Sequence, residues 1–343
     1  YREDSQIRGV ILNQISPMIY QEVRRLIEEQ LPVTVYGYVP VIRDFVLESR
    51  HLGLVMPEEI AGIREKLSAV AGAFAKTVSL PALLKIAAEA EELPEGGKKQ
   101  AAAEQDSKEP ADGVRDEVCA AAAVSPVIAV ARDEAFCFYY EDNLLLLEAC
   151  GARLVFFSPL HDQKLPKGCH GLLLGGGYPE LYAAGLSQNT GMREAVRKAV
   201  KSGMPIVAEC GGFLYLHDTL TDRNGKKYAM AGVVPGECYD TGRLVRFGYV
   251  ELRERKSNFL AAGETIRGHE FHYYESRNNG DDVLAKKPVT GKRYACVTEG
   301  ESCWMGFPHL YYPSNPNFAR RFVDKVRCFA SEERKKEERE ARP

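Results

Sequence analysis

A short apolar run ends abruptly at a cysteine that two glycines follow. Residues 204–208 read Met-Pro-Ile-Val-Ala, and Glu209-Cys210-Gly211-Gly212 come next, before a second apolar stretch. The run has the length and branching of a buried strand, and the glycines open a helix-like pattern. This pattern predicts a tight strand-to-helix elbow that presents Cys210, with the helix N-terminus favouring its thiolate. The alternative interpretation is a buried structural cysteine.

Strand-like and helix-like segments alternate around this elbow. Strands are predicted at 126–131, 153–157 and 171–174, and helices at 142–150 and 191–201. Such alternation is typical of an α/β fold with a mostly parallel sheet that helices cover on both faces. Functional groups in these sheets gather at the carboxyl ends of the strands. We therefore expect Cys210 and the glycine triplet at 175–177, which both follow strands, to lie side by side.

Another α/β region precedes the one that contains Cys210. Residues 9–13 and 33–38 are predicted as strands and 19–29 as an amphipathic helix, which makes one βαβ unit. Between the regions the sequence loses periodicity and fills with Ala, Glu, Lys, Asp and Gly, as in a flexible linker. We predict domains at 1–92 and 126–330, a linker at 93–125 and a charged tail at 331–343, either a solvated helix or a disordered end.

Composition excludes several classes of partner. The 343-residue chain has a net charge of −3 and a pI near 6.2, so neither a nucleic acid nor a membrane is expected as a partner. No apolar run approaches the roughly 20 residues that span a bilayer, and the first 30 residues do not resemble a signal peptide. Nine cysteines without a C-x-x-C pair argue against a zinc ribbon or a disulfide scaffold. A cytoplasmic location is expected.

A thiol nucleophile needs oxyanion donors and a base. Backbone N–H groups at Gly176, Gly177 and Gly211 are the predicted donors, because glycine lets the backbone turn inward. His217 is a poor base, since two turns along the elbow helix place it about 10 Å from Cys210. His269 and His309 stay open as alternatives. The stretch His269-Glu270-Phe271-His272 is one residue short of the H-E-x-x-H zinc spacing, so no metal site is predicted.

Five stretches together resemble the cobyrinate a,c-diamide synthase family, glutamine amidotransferases of cobalamin biosynthesis. They are residues 49–54 (SRHLGL), 131–140 (ARDEAFCFYY), 175–180 (GGGYPE), 208–212 (AECGG) and 267–273 (RGHEFHY). The resemblance implies a flavodoxin-like, triad-type glutaminase domain, preceded by the C-terminal part of a P-loop-type ATPase domain. It implies glutamine as nitrogen donor, and ATP with Mg²⁺ for activating the a and c acetate carboxylates of a cobyrinate-type tetrapyrrole.

The resemblance also assigns residues. Cys210 is the implied nucleophile, and His309, which precedes Ser314-Asn315-Pro316, is the implied base. Asn13 resembles an adenine contact, with turn capping as its alternative role. Contacts to the tetrapyrrole or to an interdomain passage are expected from six residues, namely Arg132, Tyr139, Tyr140, Arg267, His269 and His272, with domain packing as the alternative. The implied partners are glutamine, ATP and a corrinoid carboxylate, and homodimer formation is left open.

Some positions depart from the family pattern. Gly306-Phe307 and Tyr311 stand where the family has a Ser-Tyr pair and a second His, and the acid that many triad glutaminases carry two residues after the His is absent. No G-x-x-x-x-G-K-[ST] motif occurs, so the resemblance covers only the last part of the ATPase domain and weak ATP binding is expected. The alternative functions are a thiol hydrolase or redox sensor, or an inactive scaffold, on the same fold.

Overall fold

The computed structural model describes residues 2–42, 45, 49–50, 53–54, 57–91 and 125–340. The chain divides into two compact units, Tyr1–Val114 and Arg115–Pro343. Apart from Ser125, the linker predicted at 93–125 lies outside the described residues.

The first unit contains the predicted βαβ arrangement. Strand β1 (Gly9–Asn13) pairs in parallel with β2 (Thr34–Val39), and helix α1 (Pro17–Gln30) connects them. Helix α1 begins two residues before the predicted start, at Pro17, because the Ser16 hydroxyl caps it by accepting a hydrogen bond from the Met18 N–H. The unit continues through β3 (Ser49–Arg50), β4 (Gly53–Leu54), α2 (Ile63–Thr77) and α3 (Leu80–Ala88).

A six-stranded sheet forms the centre of the second unit. Its strands are β5 (Val127–Ala131), β6 (Arg153–Phe157), β7 (Gly171–Leu174), β8 (Ile206–Glu209), β17 (Thr298–Glu299) and β18 (Cys303–Gly306). Their order is β17-β18-β8-β7-β5-β6, and all neighbours are parallel except the edge pair of β17 and β18. The predicted parallel-rich α/β fold is therefore confirmed.

Helices cover both faces of this sheet. They are α4 (Glu141–Ala149), α5 (Ala183–Gln188), α6 (Thr190–Lys201), α7 (Gly211–Leu216) and α8 (Asn317–Glu340). Successive residues of β5 enter two different hydrophobic clusters: Ala129 packs with the α5 and α6 side, whereas Val130 packs with the α4 and α8 side. Burial on both faces explains why the central strands are continuously apolar in sequence. Helix α8 continues to Glu340, so the charged tail is helical as far as the structure describes it.

Two further sheets, not predicted from the sequence, complete the unit. The first has the order β10-β9-β11-β14, with β9 (His217–Thr221), β10 (Lys227–Ala229), β11 (Val234–Asp240) and β14 (Tyr274–Ser276). The second is antiparallel, with the order β16-β15-β12-β13-β19, and contains β12 (Arg246–Arg253), β13 (Thr265–His272), β15 (Val283–Lys286), β16 (Arg293–Cys296) and β19 (His309–Leu310).

The placement of His217 corrects one expectation. The helix after Cys210 ends at Leu216, and His217 begins β9 instead of lying two turns along a helix. Its ring is buried, with Nδ1 2.8 Å from the Phe213 carbonyl oxygen and Nε2 2.7 Å from the Ser276 hydroxyl. Both ring nitrogens thus have structural partners. Within the described ranges, no helix has both the length and the apolar character needed to cross a membrane.

Candidate active site

The elbow at Cys210 has the predicted form. Strand β8 ends at Glu209, Cys210 adopts φ 46° and ψ −102°, and α7 begins at Gly211. A non-glycine residue in this region of the backbone is strained and persists only where its surroundings hold it. The Cys210 N–H is held by the Gly306 carbonyl at 2.9 Å. A Cβ at position 212 would lie 2.1 Å from the Leu174 carbonyl oxygen, so the elbow requires glycine there.

The glycine loop at 175–177 lies directly beside the elbow. Strands β7 and β8 are parallel neighbours, with Leu174 opposite Ala208, and the Gly212 N–H donates to the Gly175 carbonyl at 2.8 Å. A Cβ at position 211 would lie only 3.0 Å from the Gly177 nitrogen. Neighbouring strand ends therefore bring the two glycine segments together, as the sequence pattern predicts.

Tyr139 fixes the glycine loop from the other side. Its hydroxyl donates to the Ala131 carbonyl and accepts a 2.9 Å hydrogen bond from the Gly175 N–H. The Gly176 carbonyl in turn accepts from the N–H groups of Cys137 and Phe138, both at 3.0 Å. The structure thus places Tyr139 under the loop, where its phenol orients backbone groups.

His309 lies against the glycine loop, and His269 stacks on the His309 ring. A Cβ at position 176 would be 2.3 Å from His309 Cε1, so only glycine admits the imidazole there. His269 and His309 are direct cross-strand partners in β13 and β19, and their rings stack with centroids 4.7 Å apart and planes at 12°. His269 Nδ1 is 3.0 Å from the Tyr140 hydroxyl. Of the two candidate bases, His309 is the one that contacts the elbow's neighbouring loop.

Burial dominates the electrostatics of both residues. Desolvation raises the pKa of the Cys210 thiol, with the carboxylates of Glu180 and Glu209 adding to the rise and a hydrogen bond from the Gly211 N–H opposing it. Desolvation and the neighbouring His269 and His272 lower the pKa of His309 to about 3. Both groups are therefore neutral near pH 7 in this state.

The expectation of a lowered thiol pKa is wrong for this state of the protein. Helix α7 has only six residues, and the whole of it is buried together with Cys210. The dipole effect that the elbow pattern predicts is worth about 0.3–2 kcal/mol, whereas full burial of a titratable group shifts its pKa by up to several units. Burial is a tertiary property that the local sequence does not reveal.

The other predicted contacts divide between surface and core. The Arg132 side chain is exposed and lies over the Phe156 ring at 5.1 Å. Arg267 is also exposed, and its backbone N–H donates to the Ser314 hydroxyl. His272 is buried and stacks on Phe307 with centroids 4.0 Å apart.

His269 and His272 do not face each other. They are three residues apart on β13 and therefore point to opposite faces of the sheet. Among the described residues, no cluster of three or more His, Cys, Asp or Glu side chains has the arrangement of a metal site. Asn13, the predicted adenine contact, is exposed at the end of β1 in the first unit.

A cavity of about 650 Å³ opens beside His269, on the outer part of the antiparallel sheet. Aromatic residues dominate its lining, which comprises Tyr140, Phe247, Gly248, Tyr249, His269, Glu270, Phe271, Lys287, Pro288, Val289 and Thr290. Tyr249 is 77% exposed and Phe247 67%. At the base, Lys287 Nζ pairs with the buried Glu270 carboxylate at 2.8 Å. A large, partly apolar molecule fits a cavity of this size and lining.

Two buried polar residues near the site were missed by the sequence analysis as functional candidates. Asn143 and Glu209 are each 6% exposed and hydrogen-bond to the chain just after His309. A signal for Asn143 exists in the sequence: it shares the buried face of α4 with Leu147, four residues on, where an apolar residue is expected. No comparable signal marks Glu209.

The family model and the curated relatives agree on one family. Residues 127–310 match the model of the CobB/CobQ-like glutamine amidotransferase domain. A cobyrinate a,c-diamide synthase of Caldanaerobacter subterraneus subsp. tengcongensis is 35% identical over 96% of this chain and 69% of its own length. One from Salmonella typhimurium is 36% identical over 94% of this chain and 67% of its own. A crystal structure of a glutamine amidotransferase is 17% identical, with a TM-score of 0.42 over 58% of this chain and 98% of its own.

Proposed function

This chain belongs to the cobyrinate a,c-diamide synthase family and carries a CobB/CobQ-like glutamine amidotransferase domain, and from that premise we propose that Cys210 and His309 hydrolyse glutamine to supply ammonia for amidating a cobyrinate-type tetrapyrrole. One observation carries the proposal. The strained elbow at Cys210 and the imidazole of His309 meet adjacent glycines of one loop, with Gly211 packed on Gly177 and His309 packed on Gly176.

The residues divide the glutaminase reaction between them. The His309 imidazole, neutral at pH 7, takes the Cys210 proton as the sulfur attacks the glutamine carboxamide carbon. Backbone N–H groups of the Gly176, Gly177 and Gly211 segments hold the oxyanion of the tetrahedral intermediate. Protonated His309 returns the proton to the departing ammonia, which leaves a γ-glutamyl thioester on Cys210. Water, deprotonated by His309, then releases glutamate.

Proton transfer from the neutral Cys210 thiol to the neutral His309 imidazole agrees with the direction of both pKa shifts. Because burial opposes charge on both groups, the thiolate and imidazolium form together and stabilise each other only as a pair. The bound glutamine carbonyl then receives the negative charge. The resting enzyme is thereby protected from random thiol chemistry until substrate is present.

Ammonia released in this way can amidate a carboxylate that has been activated. The family implies activation as an acyl phosphate by ATP and Mg²⁺. The sequence contains no G-x-x-x-x-G-K-[ST] motif, so the residues that the structure describes do not form the expected phosphate cradle.

The aromatic cavity is our proposed contact surface for the tetrapyrrole. It contains Tyr140 and His269, two of the residues that the family resemblance assigns to this substrate, beside the exposed rings of Phe247 and Tyr249. Aromatic faces suit a large conjugated macrocycle. Arg132 and Arg267 remain predicted contacts, whereas a cytoplasmic location and homodimer formation remain predictions from the sequence.

Active-site labelling tests the glutaminase proposal. A glutamine-mimicking diazoketone should modify Cys210 ahead of the other cysteines, and excess glutamine should protect it. Cys210→Ser should abolish both labelling and glutamine hydrolysis. Cys296 is the matched control because it is equally buried, at 5% exposure, so Cys296→Ser should retain both. Labelling spread over several cysteines, or indifferent to glutamine, contradicts the proposal.

A further inference from the structure

The segment that carries His309 has little regular structure of its own. Strand β19 consists of His309 and Leu310 only, and it pairs with β13 at the edge of the sheet. A 3₁₀ turn, Tyr312–Ser314, follows. Two ladder positions at a sheet edge constrain a side chain weakly, so other contacts must hold the imidazole against Gly176.

Asn143 holds this segment from helix α4. Its Nδ2 donates to the Leu310 carbonyl at 2.8 Å, and its Oδ1 accepts from the Tyr312 N–H at 2.8 Å. The Asn143 amide thus hydrogen-bonds to one backbone acceptor and one backbone donor, as a neighbouring strand would. Since these backbone partners are unambiguous, they also fix which end of the amide is nitrogen.

Glu209, at the end of strand β8 just before Cys210, holds the same segment. Its carboxyl accepts the Leu310 N–H, and the Tyr312 hydroxyl lies 3.5 Å from Oε1. Glu209 immediately precedes Cys210, and its backbone partner across the sheet is Gly306 in β18. Leu310 and Tyr312, one and three positions after His309, are therefore tied both to α4 and to the residue before the nucleophile.

We propose that Asn143 and Glu209 are positioning residues for the base: through Leu310 and Tyr312 they fix His309 relative to Cys210. This inference rests on the proposed glutaminase function. Neither side chain needs to touch glutamine. Each side chain acts by hydrogen-bonding to the backbone of the segment after His309. A replacement therefore needs only to keep the donor or acceptor that this backbone uses.

Variants at the two positions separate positioning from general stability. Asn143→Ala should lower kcat for glutamine hydrolysis about 10- to 100-fold, as expected for a catalytic group displaced by about 1 Å, with KM for glutamine little changed. Asn189 is a matched control, since it is also 6% exposed and its amide also binds backbone, namely Asp162 O and Met192 N. Asn189→Ala should lower the melting temperature similarly but leave kcat unchanged.

A double-mutant cycle identifies the residue through which they act. In a His309→Ala background, Asn143→Ala should reduce the remaining hydrolysis by no more than about twofold, because the base it positions is gone. Glu209→Gln keeps an acceptor for the Leu310 N–H and should stay within about threefold of wild type, whereas Glu209→Ala should lose at least about tenfold. If Asn143→Ala does not fold, Asn143→Asp, which keeps the acceptor for the Tyr312 N–H and puts a carboxyl oxygen in place of the donor to Leu310, takes its place in the cycle.

The outcomes are distinguishable. If His309→Ala leaves hydrolysis intact, the proposed function itself fails. If His309→Ala lowers hydrolysis about 10²-fold or more but Asn143→Ala behaves like Asn189→Ala, the positioning inference alone is overturned. Full additivity of Asn143→Ala or Glu209→Ala with His309→Ala also overturns it, because the residue would then act elsewhere.

Discussion

The two sheets that contribute the candidate catalytic pair hold their residues in different ways. In the six-stranded parallel sheet, β5, β7 and β8 are buried at every position, and Cys210 follows β8 in a strained backbone conformation. In the antiparallel sheet, burial alternates along β13, and His309 lies on a two-residue edge strand. The position of Cys210 is thus set by its own backbone conformation. The position of His309 is set by the pairing of β19 with β13 and by side chains from other elements.

The largest expected effect tests which histidine of the antiparallel sheet is the base. His309→Ala should lower glutamine hydrolysis about 10²- to 10⁴-fold, the usual contribution of positioned proton transfer. His269→Ala should cost less than about tenfold, because the three atoms nearest to a Cβ at position 176 all belong to the His309 ring, on which His269 stacks. Steady-state ammonia release measures both. If His269→Ala lowers hydrolysis more than His309→Ala does, the base is His269, on the neighbouring strand β13.

The next effect tests the contact between the two sheets. Gly176→Ala should lower hydrolysis about 10- to 100-fold, because its Cβ would lie 2.3 Å from His309 Cε1 and displace the ring. Gly72→Ala is the control, since nothing lies within 4 Å of a Cβ at that position in α2. It should leave hydrolysis unchanged. Equal activity of Gly176→Ala and wild type would mean that His309 works from another position.

A smaller effect concerns the outer cavity of the antiparallel sheet. Tyr249→Ala should weaken cobyrinate binding about three- to tenfold, as expected for one lost aromatic contact, while glutamine hydrolysis stays at the wild-type rate. Absorbance titration of the corrinoid measures the dissociation constant. Tyr228→Ala, on β10 and outside the cavity lining, should leave it unchanged. Unchanged affinity in Tyr249→Ala would place the macrocycle elsewhere.

The last prediction concerns stability instead of rate or affinity, and it is made at Glu209, where the two sheets meet. Burial raises its pKa from 4.5 to about 8. The folded state therefore holds this proton more tightly than the unfolded state, so its contribution to stability is complete below pH 4.5 and is lost as the pH rises towards 8. Glu209→Gln carries no such proton and should lose less stability between pH 5 and 8 than wild type, by roughly a few kcal/mol.

Urea denaturation at the two pH values measures this difference. The exposed Glu148 on α4 provides the control, and Glu148→Gln should keep the wild-type pH dependence. If Glu209→Gln matches wild type at both pH values, the Glu209 carboxyl has the same pKa in the folded and unfolded states.

The same contrast between sheets explains what the sequence could predict. Strand β7 was predicted to the residue and β5 to within one, because parallel strands covered on both faces appear in the sequence as continuous apolar runs. The edge strand β6, which is only partly buried, was also predicted to the residue. Strand β12 was not predicted. It contains Gly248 with φ 91° and begins and ends with arginine, so it has neither a clean alternation nor an apolar run.

The site was predictable where its chemistry is local. Cys210 and the glycines of its elbow follow from adjacent residues, but the order of His309 and His269 did not follow from the residues alone. Asn143 contacts a carbonyl 167 positions away in the chain. The rise in the Cys210 pKa likewise depends on distant residues that exclude water. These properties arise only when the sheets pack.

The cross-strand pairing of His269 with His309 also predicts where the chain tolerates insertions and deletions. Side chains in a strand alternate between faces, so removing one residue within 310–312 would turn the imidazole away from Gly176. A residue added at the hairpin turn between Lys287 and Lys292 would leave that pairing untouched, since the turn joins β15 to β16 and the strands β12 and β13 separate it from β19. Libraries of length variants should therefore lose glutaminase activity sharply at the first location and retain it at the second.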